Sequence, residues 1–424
     1  MRELLRHRDL RYFFAGQGIS LFGSMSLWLA AGIWVKTLTD SYGAAGMVFF
    51  CITLGTLAAP LSGLVVDRIS RRRLLIATNL SATLLLVPLV MTGGRPLWLV
   101  YAVLVGYGAL HGLIASGQSA LLAGMVPDRL LPHANGALRT IQESLRLVAP
   151  LAGAGLYAWQ GFSSVVILTL VGFLVAAGTL AAIRYRETPL PRKSEPFFAS
   201  VSAGMRHLLR IRALRGLTIS SALALSVLGF SESAIFAVVE EGLGRSTEFV
   251  GVLMTLQGIG AIVAGPMSGP LVGRIGELRL AAAGLLLFAV GILLAITPSL
   301  VAVVSGVVLA GGAVPWLVVG ATTLLQRRSP PELHGRAYAA FDFSITVPQT
   351  LSIAVGAALI SVVGYQVLMT ATAGVTTLAA LLLFIEHRRD VSTVPLDGAA
   401  NSADDDRTGS VPALASPSSI PDRE

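Results

Sequence analysis

Ala58–Ala77 reads AAPLSGLVVDRISRRRLLIA, and Ala264–Ala283 reads AGPMSGPLVGRIGELRLAAA. The two segments lie 206 residues apart and agree at ten of twenty positions, among them Pro60/Pro266, Ser62/Ser268, Gly63/Gly269, Arg68/Arg274, Ile69/Ile275 and Arg73/Arg279. A period close to half the chain length marks a duplicated unit, not a solenoid of short repeats. Each copy sits where an apolar run ends in a basic cluster, so the same elbow recurs at the same place in two related halves.

The chain surrounding the elbows is 54% hydrophobic and 13% charged, with mean hydropathy +0.75. Soluble domains average about 25% charged residues, so this composition predicts an integral membrane protein. The net charge of +8 is not a nucleic-acid signal, because the basic residues fall in short loops between apolar runs instead of on one solvated face. Cys51 is the one cysteine and lies inside an apolar run, which excludes a disulfide within the chain. The apolar run from Leu10 to Leu38 exceeds the roughly 7–15 residues of a signal-peptide core and reads as an uncleaved first span.

A helix needs about 20 apolar residues to cross a bilayer. Twelve segments meet or approach that length: Leu10–Leu38, Ala44–Val66, Leu74–Met91, Leu97–Met125, Ala134–Ala158, Ser163–Ile183, Leu214–Val239, Phe249–Gly273, Leu280–Thr297, Leu300–Leu325, Ala337–Val363 and Gln366–Ile385. The positive-inside rule tests this count. With the N-terminus in the cytoplasm, 26 of the 31 Lys and Arg fall on one side, including Arg68 and Arg71–Arg73, the central cluster Arg184–Arg215, Arg274 and Arg279. Only Lys36, Arg95 and Arg245 fall on or near the other side, and Arg139 and Arg146 lie within a span. A wrong count would scramble this separation. The sequence therefore predicts an all-α integral membrane protein with twelve transmembrane helices in two pseudo-symmetric six-helix halves. Residues 1–184 form the first half, 185–213 a cytoplasmic central loop, 214–389 the second half and 390–424 a disordered cytoplasmic tail rich in Ser, Pro, Asp and Ala. In the central loop, MRHLLRIRALR (residues 205–215) reads either as a basic amphipathic helix on the membrane surface or as a positively charged connector.

Span count, central loop and duplicated elbow together resemble the major facilitator superfamily. The segment Gly63-Leu-Val-Val-Asp67-Arg68-Ile-Ser70-Arg71-Arg72-Arg73 is similar to that family's signature Gly-x-x-x-Asp-Arg-x-Gly-Arg-Arg between helices 2 and 3, with Ser70 in place of a glycine. The second copy keeps Gly269, Arg274 and Gly276 but carries Gly273 where the first has Asp67. Gly63 offers close helix approach, Asp67 can dock on the positive end of a neighbouring helix, and the arginines can pair with acidic groups or anionic headgroups. The resemblance implies that Gly63, Asp67, Arg68, Arg72, Gly269 and Arg274 latch the halves together on the cytoplasmic side while the cavity faces outward. Gly136, Ala149-Pro150 and Gly153 resemble a degraded form of the exporters' helix-5 motif, in which Pro150 and Gly153 let the helix bend. The best-known proton-coupled drug exporters of the family carry an arginine in the fourth span. Here Leu97–Met125 has none, and its one Asp, Glu, Lys, Arg or His is His111. That departure argues against the best-studied drug/proton antiporter branches, and the overall character of the chain resembles more closely the branch of macrolide-efflux and siderophore-export proteins.

Charges at bilayer depth are costly and default to functional candidates. Spans 3, 6, 9 and 12, peripheral in the family resembled, contain none. Arg139, Gln142, Glu143 and Arg146 form one stripe on the fifth span at i, i+3, i+4, i+7. Glu232 and Asp342 belong to the other half and can balance the surplus positive charge. Glu143, held between two arginines, is the weakest proton carrier of the three acids. Glu232, among small and apolar neighbours, is the strongest, and Asp342 stands between. Gln17, His111, Gln257, Trp316 and Gln349 are further cavity candidates. There is no phosphate-binding glycine loop, no cluster of metal ligands and no nucleophile triad, so neither an enzyme nor an ATP-driven pump is expected, and no cofactor. These residues point to a secondary active transporter, a proton-coupled exporter of drug-like or natural-product small molecules. It would act as a monomer in the plasma membrane with both termini cytoplasmic, with the small molecule, protons and the bilayer as its partners and no nucleic acid. An importer or facilitator of a small metabolite, and a transporter-like sensor or scaffold, are the alternatives.

Overall fold

A computed structural model describes residues 7–57, 70–91, 96–127, 130–185, 197–330 and 333–391. The helices are α1 (Arg8–Thr39), α2 (Tyr42–Thr56), α3 (Arg71–Met91), α4 (Leu97–Met125), α5 (Leu131–Gln160), α6 (Phe162–Ala182), α7 (Phe197–Arg210), α8 (Arg212–Leu228), α9 (Phe230–Ala237), α10 (Phe249–Ile275), α11 (Glu277–Ala295), α12 (Leu300–Arg328) and α13 (His334–Val391). No strand occurs among the described residues.

Nine helical stretches among the described residues are long and apolar enough to span a membrane. One of them, α13, is bent at Gly364 (φ 75°) and supplies spans 11 and 12. Two more spans fall outside the nine for physical reasons. Helix α5 is interrupted by the polar stripe, and α2 reaches Thr56 just before the undescribed elbow. The total is the twelve expected. Span 7 is not one helix: α8 and α9 meet at Gly229, and a π-helical turn, Val238–Gly242, follows.

Reversals between spans use residues that tolerate left-handed backbone. Asp40 (φ 50°) ends α1 with its N–H on the Lys36 carbonyl, and Ser41 caps α2 by accepting from Ala44 N at 3.2 Å. Gly161 (φ 78°) joins α5 to α6, and Gly276 (φ 82°) joins α10 to α11 at the position of Ser70 in the first copy.

The pseudo-symmetry appears in the packing. In the first six spans α1 packs on α5 and α6, α2 on α4, and α3 on α4 and α6. In the last six, span 7 packs on α13, α10 on α12, and α11 on α12 and α13. Spans 2 and 4 thus pair as 8 and 10 do, and 3 and 4 as 9 and 10. The arginine-rich ends form one face. There Arg72 donates to the Leu180 and Ala181 carbonyls at 2.8 and 2.5 Å, Arg184 N donates to Asp9 at 3.2 Å, Arg212 pairs with Glu386 at 3.0 Å, and Arg327 with Glu277 at 2.6 Å. A cation at the open carbonyls of a helix end is favourable.

Residues 205–215 form the end of α7 and the start of α8. Helix α7 buries Val201 and Leu208 against protein, its Gly204 lies against the Arg336 backbone, and His207 hydrogen-bonds Ser329 at 3.0 Å. Its apolar face packs on span 11. The expected disordered tail lies outside the described residues beyond Val391.

Candidate transport cavity

The two six-span groups touch at the face opposite the arginines. One apolar cluster draws on both, joining Leu29, Ile33 and Phe49 to Phe236, Leu253 and Ile353. Phe49 and Phe236 stack at 5.9 Å with an interplanar angle of 8°. Approach elsewhere is as close as glycine allows. A Cβ on Gly43 would stand 2.3 Å from the Ala357 carbonyl, and one on Gly46 would collide with Ser233. Deeper in, α5 crosses α10, where Thr255 Oγ1 donates to the Leu147 carbonyl at 3.0 Å and Gly251 rests on Ala154.

Pro150 lies at this crossing. One turn on, Gly153 brings α5 onto α1: a Cβ there would stand 2.7 Å from Ser26, whose hydroxyl donates to the Ala149 carbonyl at 2.9 Å. Toward the arginine-rich face the surroundings change. Among the described residues, none places an atom within 4 Å of a Cβ position on Gly265, Gly269 or Gly273 of α10, and Arg274 is exposed. Among the described residues, the two groups are thus closed at one end and parted along α10 at the other.

The cavity candidates fall into three environments. Glu143 and Arg146 are exposed, and Gln142 is half-buried. Exposed charge at bilayer depth faces a water-filled cavity and not lipid. Glu232 is half-buried in the first turn of α9, on span 7 of the other six-span group. Asp342 is exposed near the arginine-rich end of span 11, with Gln349 half-buried two turns on.

A second environment is intra-group. Gln17 is buried at 2% exposure and accepts from the Gln118 amide, while its own amide nitrogen has no partner among the described residues. His111 is half-buried beside Tyr107, ring centroids 6.2 Å apart. The third is structural: the Trp316 N–H donates to the Ala264 carbonyl at 3.2 Å and ties α12 to α10, and Gln257 is half-buried where its backbone meets Gly311.

Of the elbow residues, Gly63, Asp67 and Arg68 lie outside the described residues. Arg72 is engaged within the first six spans. For Arg139, only its place on α5 is described.

The Major Facilitator Superfamily model matches residues 13–244 and 219–416. The chain belongs to the Major Facilitator Superfamily. It is similar to the multidrug resistance protein MdtG of Klebsiella pneumoniae (strain 342), 25% identical over 354 residues that cover 81% of this chain and 84% of that protein. It is also similar to the uncharacterized MFS-type transporter YfiS of Bacillus subtilis (strain 168), 22% identical over 322 residues, 72% and 75% of the two chains. Among solved structures, the POT family transporter PepTSo aligns with a TM-score of 0.75 at 13% identity, covering 91% of this chain and 99% of that one. The superfamily member described here is a multi-span membrane transporter of a small molecule.

Sequence reasoning missed two features. Gln118 is the partner of Gln17, and nothing marks it in a span free of charge. A cluster around Lys36 at the closed end was also missed, although its signal was present: Lys36 violates the positive-inside pattern.

Proposed function

We propose that this protein is a proton-coupled exporter of drug-like or natural-product small molecules, working by alternating access in the plasma membrane as a monomer with both termini cytoplasmic. One observation carries the reading: in a superfamily member, Glu232 of the second group is half-buried on span 7, and Glu143 and Arg146 of the first are exposed on α5 at bilayer depth. An acid on one group and cationic side chains on the other change their mutual distance as the groups rock, so proton occupancy of Glu232 and the direction of opening are linked. The similarity to MdtG supports the drug-efflux class. The arginine-rich face is cytoplasmic by the positive-inside rule, so the conformation described here is closed to the outside.

In this reading Glu232 carries the proton, Arg146 is its counter-charge, and Glu143 keeps the α5 stripe from excess positive charge. Asp342 assists near the cytoplasmic mouth. The elbow residues Gly63, Asp67, Arg68, Gly269 and Arg274 engage when the cytoplasmic side closes.

The test is efflux in inverted membrane vesicles, with and without a protonophore. Export driven by the pH gradient is expected for the parent, and its loss in Glu232→Gln with normal membrane insertion. Undiminished pH-driven export in that variant removes Glu232 from the coupling. Equilibration indifferent to the protonophore would instead support a facilitator.

A further inference from the structure

At the closed end a lysine is buried between the two groups. Lys36 of α1 has a side chain only 6% exposed, and its ammonium lies 2.8 Å from Glu240 Oε2 and 2.8 Å from Asp40 Oδ1. It also stands 4.6 Å over the Tyr42 ring. Glu240 sits in the π-helical turn of span 7 and accepts from Thr247. Among the ion pairs Lys36–Asp40, Lys36–Glu240, Arg212–Glu386 and Arg327–Glu277, only Lys36–Glu240 joins the first six spans to the last six. The glycine contacts Gly43–Ala357 and Gly46–Ser233 and the Phe49–Phe236 stack belong to the same closure.

We propose that Lys36 and Glu240 are the gating pair of this transporter: they lock the two six-span groups at the face opposite the arginines, and they must part before the cavity opens there. The two counter-ions of Lys36 divide the work. Asp40 is on the same helix, 95% exposed, and travels with Lys36, and the ammonium beside it holds its carboxyl below the ordinary carboxylate range. Glu240 is on the other group and reaches water when the groups separate. Neither charge is stranded on opening, so the cost that makes a broken buried pair so unfavourable is avoided. The π-turn adds a residue to the helix at this point, the kind of local irregularity that recurs at functional sites.

The test places a reporter thiol, Ser233→Cys, in a Cys51→Ser background and follows its labelling by a membrane-impermeant maleimide in vesicles of both orientations. Lys36→Met and Glu240→Gln are each expected to raise the labelling rate at least about tenfold from the face opposite the arginines. The triple variant Lys36→Glu/Asp40→Asn/Glu240→Lys reverses the pair without setting two carboxylates side by side, and is expected to return the rate toward the parent. Unchanged labelling in both single variants, with normal insertion and a monodisperse elution profile, overturns the proposal. So does a reversed pair that labels as fast as the singles. The membrane orientation proposed above is read separately from which vesicles label: a rise from the cytoplasmic side supports the lock and overturns that orientation.

Discussion

The two ends of the interface between the six-span groups are built from similar small residues and are in opposite states. At the end opposite the arginines, Gly43 and Gly46 are pressed against Ala357 and Ser233. At the arginine-rich end, Gly265, Gly269 and Gly273 stand four residues apart on α10 with no described residue against the positions their Cβ atoms would take. Small residues in membrane helices permit close approach, so the first set is in use and the second is idle in this conformation. The difference teaches that a glycine ridge is a surface for one state of a two-state machine, and that its emptiness is as informative as its burial.

The comparison breaks most readily at Gly43. Gly43→Ala places a methyl 2.3 Å from a backbone carbonyl that has no side-chain freedom to yield. The expected cost to the closed state is about 1–3 kcal/mol, read as faster maleimide labelling of Ser233→Cys. Labelling at the parental rate would mean that the approach is not needed for closure. A smaller effect is expected at Trp316, whose N–H joins α12 to α10 within one group. Trp316→Phe should cost about 0.5–1.5 kcal/mol, lowering the thermal midpoint while leaving that accessibility unchanged; a change in accessibility would show that the contact reaches the gate. The smallest effect on stability belongs to Gly269→Ala. The added methyl meets no described residue, so the unfolding free energy should stay within about 0.5 kcal/mol of the parent and the thermal midpoint barely move, while efflux slows as the ridge fails to pack in the alternate state. Unslowed efflux would remove the ridge from the cycle.

Much of this was legible in the chain. Each span's hydropathy and each loop's arginines are properties of a single segment, so twelve spans and their alternation follow without knowledge of packing. Even the interruption of span 5 by Arg139, Gln142, Glu143 and Arg146 was visible, and those polar residues explain both its weak hydropathy and its place beside water. The division of span 7 was not legible. Gly229 ends α8 because its N–H donates to the Ser352 hydroxyl at 2.9 Å, a contact made by a residue 123 positions away. The role of Trp316 was equally hidden, since an indole in a span reads the same whether its N–H meets substrate or a neighbouring backbone.

The sequence by itself determined the duplication, the membrane class, the span count and the sidedness of charge, because these depend on local composition repeated along one dimension. Tertiary structure alone decided which charges meet. Lys36 and Glu240 are 204 residues apart. Their contact depends on how α1 and span 7 pack and on the π-turn that presents the carboxylate. Burial then sets the strength of the pair, since a charge that water no longer solvates must find its partner in the protein.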